Sequence, residues 1–565
     1  MVLNRLDDSG HPLEVPDVQR TTLGMDLMSR FVCNSWHEAI ANGGPDFDAV
    51  VLGAGMFGAY CASKIVQFGA DAPLRVLVLD AGPFLLPTHV QNLPPLGLYP
   101  PTAALPADDT GAARNLVWGL PWRGNVPWVG QAYCVGGKSL FWGGWCPRLL
   151  ERDLSMWPAG AADYLREHYE LLEEQSGVAA TTDFIEGPLF DAVHGKLVAA
   201  SGQVPHVDSA GAAPLAVQGQ APTSGLFGFD KYNAVTLLAD AARSASRLPD
   251  SSRPLFVVPN THVTRLTYDG GRVTAIEVFT DGTTERLAVG EKTAVIIALG
   301  TVESTRLALS SFPSRATPDE ELMGRNLMAH WRTNTYARIP RTALDPTGSL
   351  PRQLEAAAAI VRGSTDTGVF HVQVTASADP AGDSDRFLYA MIPDLDQQHQ
   401  LLATQTADSI ALAFRGVSEM FGDTLTNVPN ETGRWINLSE EKDEFGQRRA
   451  WVQMSSSPTE DDLATAMEAS IRAIAVHLAD GDENAVQVTS QGRDGMGTTY
   501  HEAGTLWMGD DPGSSVTDSR GRFHHVANTF CADQSIFPTV GSVNPTLTGL
   551  VLSRRVAEAV VNFCA

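Results

Sequence analysis

The sequence predicts an α/β chain, α+β overall, in which a parallel sheet flanked by helices is joined to a second domain built on an antiparallel sheet. Three observations carry this. The apolar run Ala49-Val50-Val51-Leu52 leads straight into Gly53-Ala54-Gly55-Met56-Phe57-Gly58 and an apparent helix. Residues 245–300 break into short strands divided by the turn signals Asp269-Gly270-Gly271 and Asp281-Gly282. Residues 340–455 alternate apolar and polar side chains, most clearly in GVFHVQVTAS and RFLYAMIP.

Residues 1–21 are polar, carry prolines and read as an extended arm. Helical spacing at Leu27, Phe31 and Trp36 predicts a helix over 22–42, stopped by Gly43-Gly44. A strand, a turn, a helix from Ala59 to Gln67 and a second strand, Arg75 to Leu79, follow. Residues 83–130 are rich in Pro, Gly and Trp. So long an irregular stretch inside a compact chain suits a functional cover. Phe256-Val257-Val258, Thr261–Leu266, Arg272–Thr280 and Ala294–Leu299 are the predicted strands of the 245–300 segment. In the alternating region, Phe370, Val372 and Val374 share the core face of one strand. His371, Gln373 and Thr375 share the other, which faces solvent or a ligand, and solvent is the expectation. Ser457-Pro458-Thr459-Glu460 starts a helix with a capping box, and Leu463, Met467, Ile471, Ile474 and Leu478 form its apolar stripe. His477 beside that stripe suits a structural or surface role.

The 565 residues are 44% hydrophobic and 19% charged, so a substantial core is available. Six cysteines with no CxxC pair exclude a disulfide-stapled scaffold and argue against a zinc knuckle; no metal is expected. The net charge of −25 opposes nucleic acid and anionic membranes as partners. No basic-then-apolar leader opens the chain and no run of 18 apolar residues occurs. A soluble cytoplasmic protein without a membrane span is therefore expected.

The glycine motif carries the first chemistry. Gly53 permits a tight turn, Gly55 lets backbone approach a pyrophosphate, and Gly58 lets helix and strand pack closely. The helix N-terminus offers unsatisfied N–H donors to phosphate. The second strand ends at Asp80, 80 minus 53 or 27 positions on. A carboxylate there accepts ribose hydroxyls and repels a 2′-phosphate. This arrangement fits NAD or FAD and does not choose between them.

Further blocks do choose. They are Asp80-Ala81-Gly82, Gly136-Gly137-Lys138-Ser139-Leu140-Phe141-Trp142-Gly143-Gly144, Ala294–Gly300 with Glu303-Ser304, Gly324–His330, and Tyr500–Leu550. With the Val51–Gly58 motif they make the chain resemble the glucose–methanol–choline (GMC) oxidoreductase family, whose members hold FAD and oxidise alcohols. The resemblance covers both ends of the chain and leaves most of the middle unmatched. It implies a Rossmann-like FAD-binding domain, discontinuous over 45–160 and 245–335. An antiparallel-sheet substrate-binding domain would span 161–244 and 336–490. Residues 1–44 would be an arm and helix, and 491–565 would return to the FAD domain with the catalytic residues. Gly136, Gly137, Ser139 and Gly143 are then expected beside the cofactor, and Val263 at the adenine. Phe141 stands where some relatives carry a histidine that bonds to the flavin. It cannot form that bond, so FAD is expected to be non-covalent, with Phe141 and Trp142 packed near it. Asp533 matches the family's flavin-binding acid. Leu547–Val561 reads as a helix whose N-terminal dipole would point toward the pyrimidine end of the flavin, and Pro545 and Thr546 just before it are expected at the cofactor. His330, at the end of its block, is expected to serve packing and hydrogen bonding rather than chemistry.

His501 matches the family's catalytic histidine and Asn544 its partner. The Asn544-Pro545-Thr546-Leu547-Thr548 form resembles carbohydrate-active members such as pyranose and C-glycoside oxidases. The implied reaction is oxidation of a sugar or glycoside secondary hydroxyl to the ketone. His501 takes the hydroxyl proton, hydride goes to flavin N5, and dioxygen reoxidises the flavin, giving hydrogen peroxide. A dehydrogenase passing electrons to a quinone or redox protein, a sterol or aromatic alcohol oxidase, and an inactive flavin-binding protein are the alternatives. His371 and Gln373 are candidate substrate contacts, and an oligomer is possible.

Overall fold

The computed structural model describes residues 29–40, 47–71, 74–86, 89, 118–126, 130–178, 187–218, 230–313, 321–350, 355–378, 406–422 and 433–565. The arm over 1–21, most of 83–130 and the RFLYAMIP strand lie outside the described residues.

Five parallel strands form the first sheet, in the order 529–531, 294–297, 49–52, 76–79, 255–258. Val50 pairs with Val295 on one side and Leu77 on the other. The three central strands, 294–297, 49–52 and 76–79, are buried along their whole length, as continuous apolar runs in a parallel sheet require. The helix Met56–Phe68 packs against the C-terminal helix Thr546–Cys564 and against Ala234–Ala245. Gly53 sits at φ +96°, and a Cβ on Gly58 would lie 2.0 Å from the Gly53 carbonyl oxygen. Only glycine at both places lets the helix start this close to its strand. The helix Ala159–Ser176 also packs on the C-terminal helix. Within 161–244, expected in the substrate domain, most of this helix and all but the last residue of Ala234–Ala245 thus stand against the helices of the parallel sheet. Val207–Ala212 does join the antiparallel sheet.

That second sheet has six strands, ordered 487–493, 330–340, 409–419, 369–378, 355–364, 207–212. Its inner face presents Phe370, Val372, Val374 and Phe414 to the helix Pro458–Leu478, whose stripe of Leu463, Met467, Ile471, Ile474 and Leu478 is fully buried. Ser457 and Glu460 close the capping box at 3.3 and 2.7 Å. The opposite face corrects the expectation of solvent. His371 and Gln373 are buried, and the sheet lies over an internal cavity instead.

The helix expected over 22–42 is also corrected. Among the described residues of that span, 29–40, Ser29–Phe31 is one 3₁₀ turn and Trp36–Ile40 is α-helix. The Asn34 N–H donates to Val257 O of the parallel sheet at 2.7 Å, which holds the chain out of a helix there. Ser35 then caps the shorter helix, its hydroxyl accepting from the Glu38 N–H at 3.1 Å. Phe31 is left exposed.

Candidate active site

A cavity of about 570 Å³ runs between the two sheets. One stretch of its wall is the nucleotide fingerprint: Gly53, Gly55, Asp80 and, from the antiparallel ribbon at 261–280, His262 and Val263. Asp80 Oδ2 accepts from the Ala54 N–H at 2.8 Å and Oδ1 from the Gly82 N–H at 2.9 Å. Burial pushes its carboxyl up to about 6, against those two N–H groups. Apart from its chain neighbours, a Cβ added at Gly55 would meet no atom of the described residues within 4 Å, so this backbone faces the cavity bare. Gly58 stands behind the wall as the packing contact already described.

Glu303 and Arg306, on the helix Thr301–Ser311, also reach this stretch as a buried pair, Arg306 Nε donating to Glu303 Oε2 at 2.7 Å. Glu303 Oε1, Arg306 Nη1 and both ring nitrogens of His262 are buried and meet no partner among the described residues. His262 stacks on Phe445 at 4.3 Å and is held down to about 3 by burial and by Arg306. These neutral and charged donors and acceptors, the bare glycine backbone and the ribose-type carboxylate together suit a dinucleotide, and FAD fits them.

Gly137, Ser139, Phe141, Trp142 and Gly143 line the next stretch. Gly136, at φ +98°, lies just behind and starts the turn that brings Gly137 within reach of Gly55. Lys138 Nζ pairs with the buried Glu502 at 2.8 Å. Pro545 and Thr546 line the cavity at the start of the C-terminal helix, whose first N–H groups have no partners within the helix. Asp533 is not in the wall. Its oxygens accept from Gly300 N, Ser304 Oγ, Ser535 N and Ser535 Oγ at 2.5–3.0 Å, tying its own turn to the start of the helix Thr301–Ser311 while its neighbour Gln534 faces the cavity.

The remaining wall carries a continuous hydrogen-bonded chain. His330 Nε2 lies 2.9 Å from Gly541 O, and its Nδ1 lies 2.8 Å from His501 Nδ1. His501 Nε2 lies 3.1 Å from Asn544 Nδ2. Asn544 Oδ1 accepts from Gln373 Nε2 at 3.1 Å, and that amide also touches His371 Nε2 at 3.1 Å. Burial keeps His501 well below its usual range, and His330, Arg332, His371 and Arg415 add to this. His330 is held down to about 4 and His371 to about 3, chiefly by burial. The site therefore holds three neutral imidazoles at neutral pH.

Strand register explains the polar wall. Asn334 pairs with Arg415 and Arg415 with Gln373; one step along, Arg332 pairs with Val417 and Val417 with His371. These six share the face turned from the core, and Arg332, Gln373, Arg415 and Val417 line the cavity. Arg332 pairs with Asp494, and Arg415 Nε donates to Asn334 Oδ1 at 3.1 Å. The sequence signals brought out His501, Asn544 and Gln373 but missed Arg332 and Arg415. The same period-2 reading that placed Gln373 would have found them.

Comparison with known proteins bears on the family and the fold. Residues 429–553 match the family model described as GMC oxidoreductase. The chain is 24% identical to 6'''-hydroxyparomomycin C oxidase of Streptomyces lividus over 92% of both chains. It is 25% identical to paromamine 6'-oxidase of Streptomyces fradiae over 91% of both. Its fold is similar to that of pyridoxine 4-oxidase from Mesorbium loti, with a TM-score of 0.56 and 16% identity, covering 91% of this chain and 99% of that one. The matched block at 429–553 includes His501, Gln534, Asn544 and Pro545 of the cavity wall, so the chain is similar to the GMC oxidoreductases where it lines this dinucleotide-type cavity, and that similarity supports, in general terms, an FAD-dependent oxidoreductase.

Proposed function

We propose that the protein oxidises a secondary hydroxyl of a sugar or glycoside to the ketone, with His501 as general base, Asn544 as its positioning partner and non-covalent FAD. The observation that carries this reading is the 3.1 Å contact between His501 Nε2 and Asn544 Nδ2 in the wall of the same cavity as the nucleotide fingerprint. A neutral imidazole accepts the alcohol proton at Nε2, while the amide holds the ring and the hydroxyl in place. When bound, FAD supplies the acceptor for the hydride and passes the electrons on to dioxygen.

Support for a polyol comes from the wall of Gln373, Arg332 and Arg415, which offers hydrogen-bond donors rather than an apolar slot. Two relatives bear the names of aminoglycoside oxidases. Arg332 and Arg415 disfavour a polycation here, so a neutral sugar is the better fit. Phe141, in the wall where a linking histidine would stand, supports non-covalent FAD.

The test is anaerobic bleaching of the flavin by neutral pyranoses, glycosides, protonated amino sugars, sterols and benzyl alcohols. Fast bleaching by a neutral pyranose or glycoside is expected. Bleaching only by sterols or benzyl alcohols would overturn the sugar assignment.

A further inference from the structure

The hydrogen-bond chain behind His501 admits one arrangement of protons. A carbonyl oxygen can only accept, so His330 Nε2, 2.9 Å from Gly541 O, carries hydrogen. A neutral imidazole has one N–H, so His330 Nδ1 holds a lone pair. His501 Nδ1, 2.8 Å away, must then donate to it. That spends the only N–H of His501. Its Nε2 is left with the lone pair and accepts from Asn544 Nδ2 at 3.1 Å. Asn544 Oδ1 is turned to Gln373 Nε2, which donates. Reversing any one member sets two donors or two lone pairs against each other.

We propose that His330 is a positioning residue that holds His501 in the Nδ1–H tautomer, leaving Nε2 as the basic atom, and that the two imidazoles share the proton taken from the alcohol. This rests on the reading of His501 as the base. The alcohol hydroxyl must take the place of the Asn544 N–H at the Nε2 lone pair; when Nε2 gains the alcohol proton, the O–H bond breaks and an Nε2–H bond forms. His501 then carries hydrogen on both nitrogens, and Nδ1–H points at a second imidazole instead of a carboxylate. The Nδ1 proton can pass to His330 Nδ1, breaking one N–H bond and making another. It stops there, because Gly541 O cannot take a proton.

The setting favours this pair. Both rings are buried, with centroids 4.9 Å apart and planes at 79°, so the Nδ1 atoms meet edge on. His330, Arg332, His371 and Arg415 all hold His501 low. The carboxylates Asp494 and Glu502 are paired with Arg332 and Lys138, so the group that meets His501 Nδ1 is a neutral imidazole and not a carboxylate. Burial, with Arg332 and Arg415 at His501, keeps both rings neutral before reaction.

The experiment uses FAD-loaded protein with ¹⁵N-labelled histidine. Nitrogen NMR of the parent should show His501 protonated at Nδ1 and bare at Nε2. The proton on Nε2 instead would overturn the proposal. His330→Phe keeps a ring but removes the acceptor. It should lose the single tautomer and slow anaerobic flavin reduction by roughly 10- to 100-fold, by analogy with the loss of an outer partner that orients a metal-bound histidine. His330→Asn places an amide oxygen near the lost acceptor, so it should restore the tautomer and regain part of the rate. Parental flavin reduction in His330→Phe would refute the role, as would a slow His330→Asn with the tautomer lost. If His330→Phe does not fold, the parent spectrum and His330→Asn decide. His501→Ala separates the two claims: parental reduction there removes the base reading itself, whereas a slow His501→Ala beside a parental His330→Phe removes only this inference.

Discussion

Asp80 shows what a single residue does at the nucleotide end. Its carboxylate holds Ala54 N and Gly82 N and still faces the cavity. Asp80→Asn keeps an oxygen for one of those N–H groups but loses the charge. A hydrogen bond to a charged group is worth about 1.5–3 kcal/mol, so FAD should dissociate roughly 10- to 150-fold more readily. Flavin release measured by fluorescence checks this, and an unchanged dissociation constant would show that Asp80 does not hold the ribose. Phe141 predicts that acid precipitation leaves the yellow colour in the supernatant; washed pellets that stay yellow would contradict it. At this scale the sequence was most legible where a residue's chemistry is local. Asp80 and the glycines announce themselves by spacing. The His330–His501 contact joins residues 171 apart. Nothing near His330 in sequence marks the ring it meets, and packing and hydrogen bonding were the natural expectation for a histidine that follows the apolar Leu327-Met328-Ala329.

At the scale of elements, the helix Met56–Phe68 depends on its closeness to the strand before it. A methyl at Gly58 would meet Gly53 O at 2.0 Å and Ala298 Cβ at 3.0 Å. Gly58→Ala must push the helix outward, at a cost of about 1–3 kcal/mol for overpacking. A lower melting temperature and a lower ratio of flavin to protein absorbance are expected, and parental values in both would show that the helix has room to give. The second sheet teaches a complementary lesson. Alternation correctly separated Phe370, Val372 and Val374 from His371, Gln373 and Thr375. Period alone cannot say what covers the polar face, and here the covering layer is the cavity between sheets. The 22–42 segment failed for a related reason: its apolar spacing was helical, but a bond from Asn34 to the neighbouring strand outweighed propensity.

Across the whole molecule, buried histidines set the response to acid. His262, His330 and His371 have folded values of about 3, 4 and 3, below the ordinary 6.5. The unfolded chain takes up these protons first, so the stability they contribute is complete above pH 6.5 and is lost as pH falls toward 4 and then 3. Asp80 and Glu419 act in the opposite sense. Burial raises them to about 6 and about 7, so they favour the folded state as pH falls. The three histidines outweigh these two, and His501, also held low, adds to them. The apparent melting temperature should therefore drop steadily between pH 6.5 and 4. A flat profile over that range would mean that these rings titrate normally in the folded protein.

The central claim is that His501 removes the alcohol proton. Its most direct test is anaerobic stopped-flow reduction of the bound flavin by a saturating sugar, comparing the parent with His501→Ala and Asn544→Ala. General-base catalysis is worth about 10² to 10⁴-fold. His501→Ala should keep its flavin and lose rate by that factor, and Asn544→Ala should lose less, since it orients the ring and takes no proton. His501→Ala reducing its flavin at the parental rate would contradict the account.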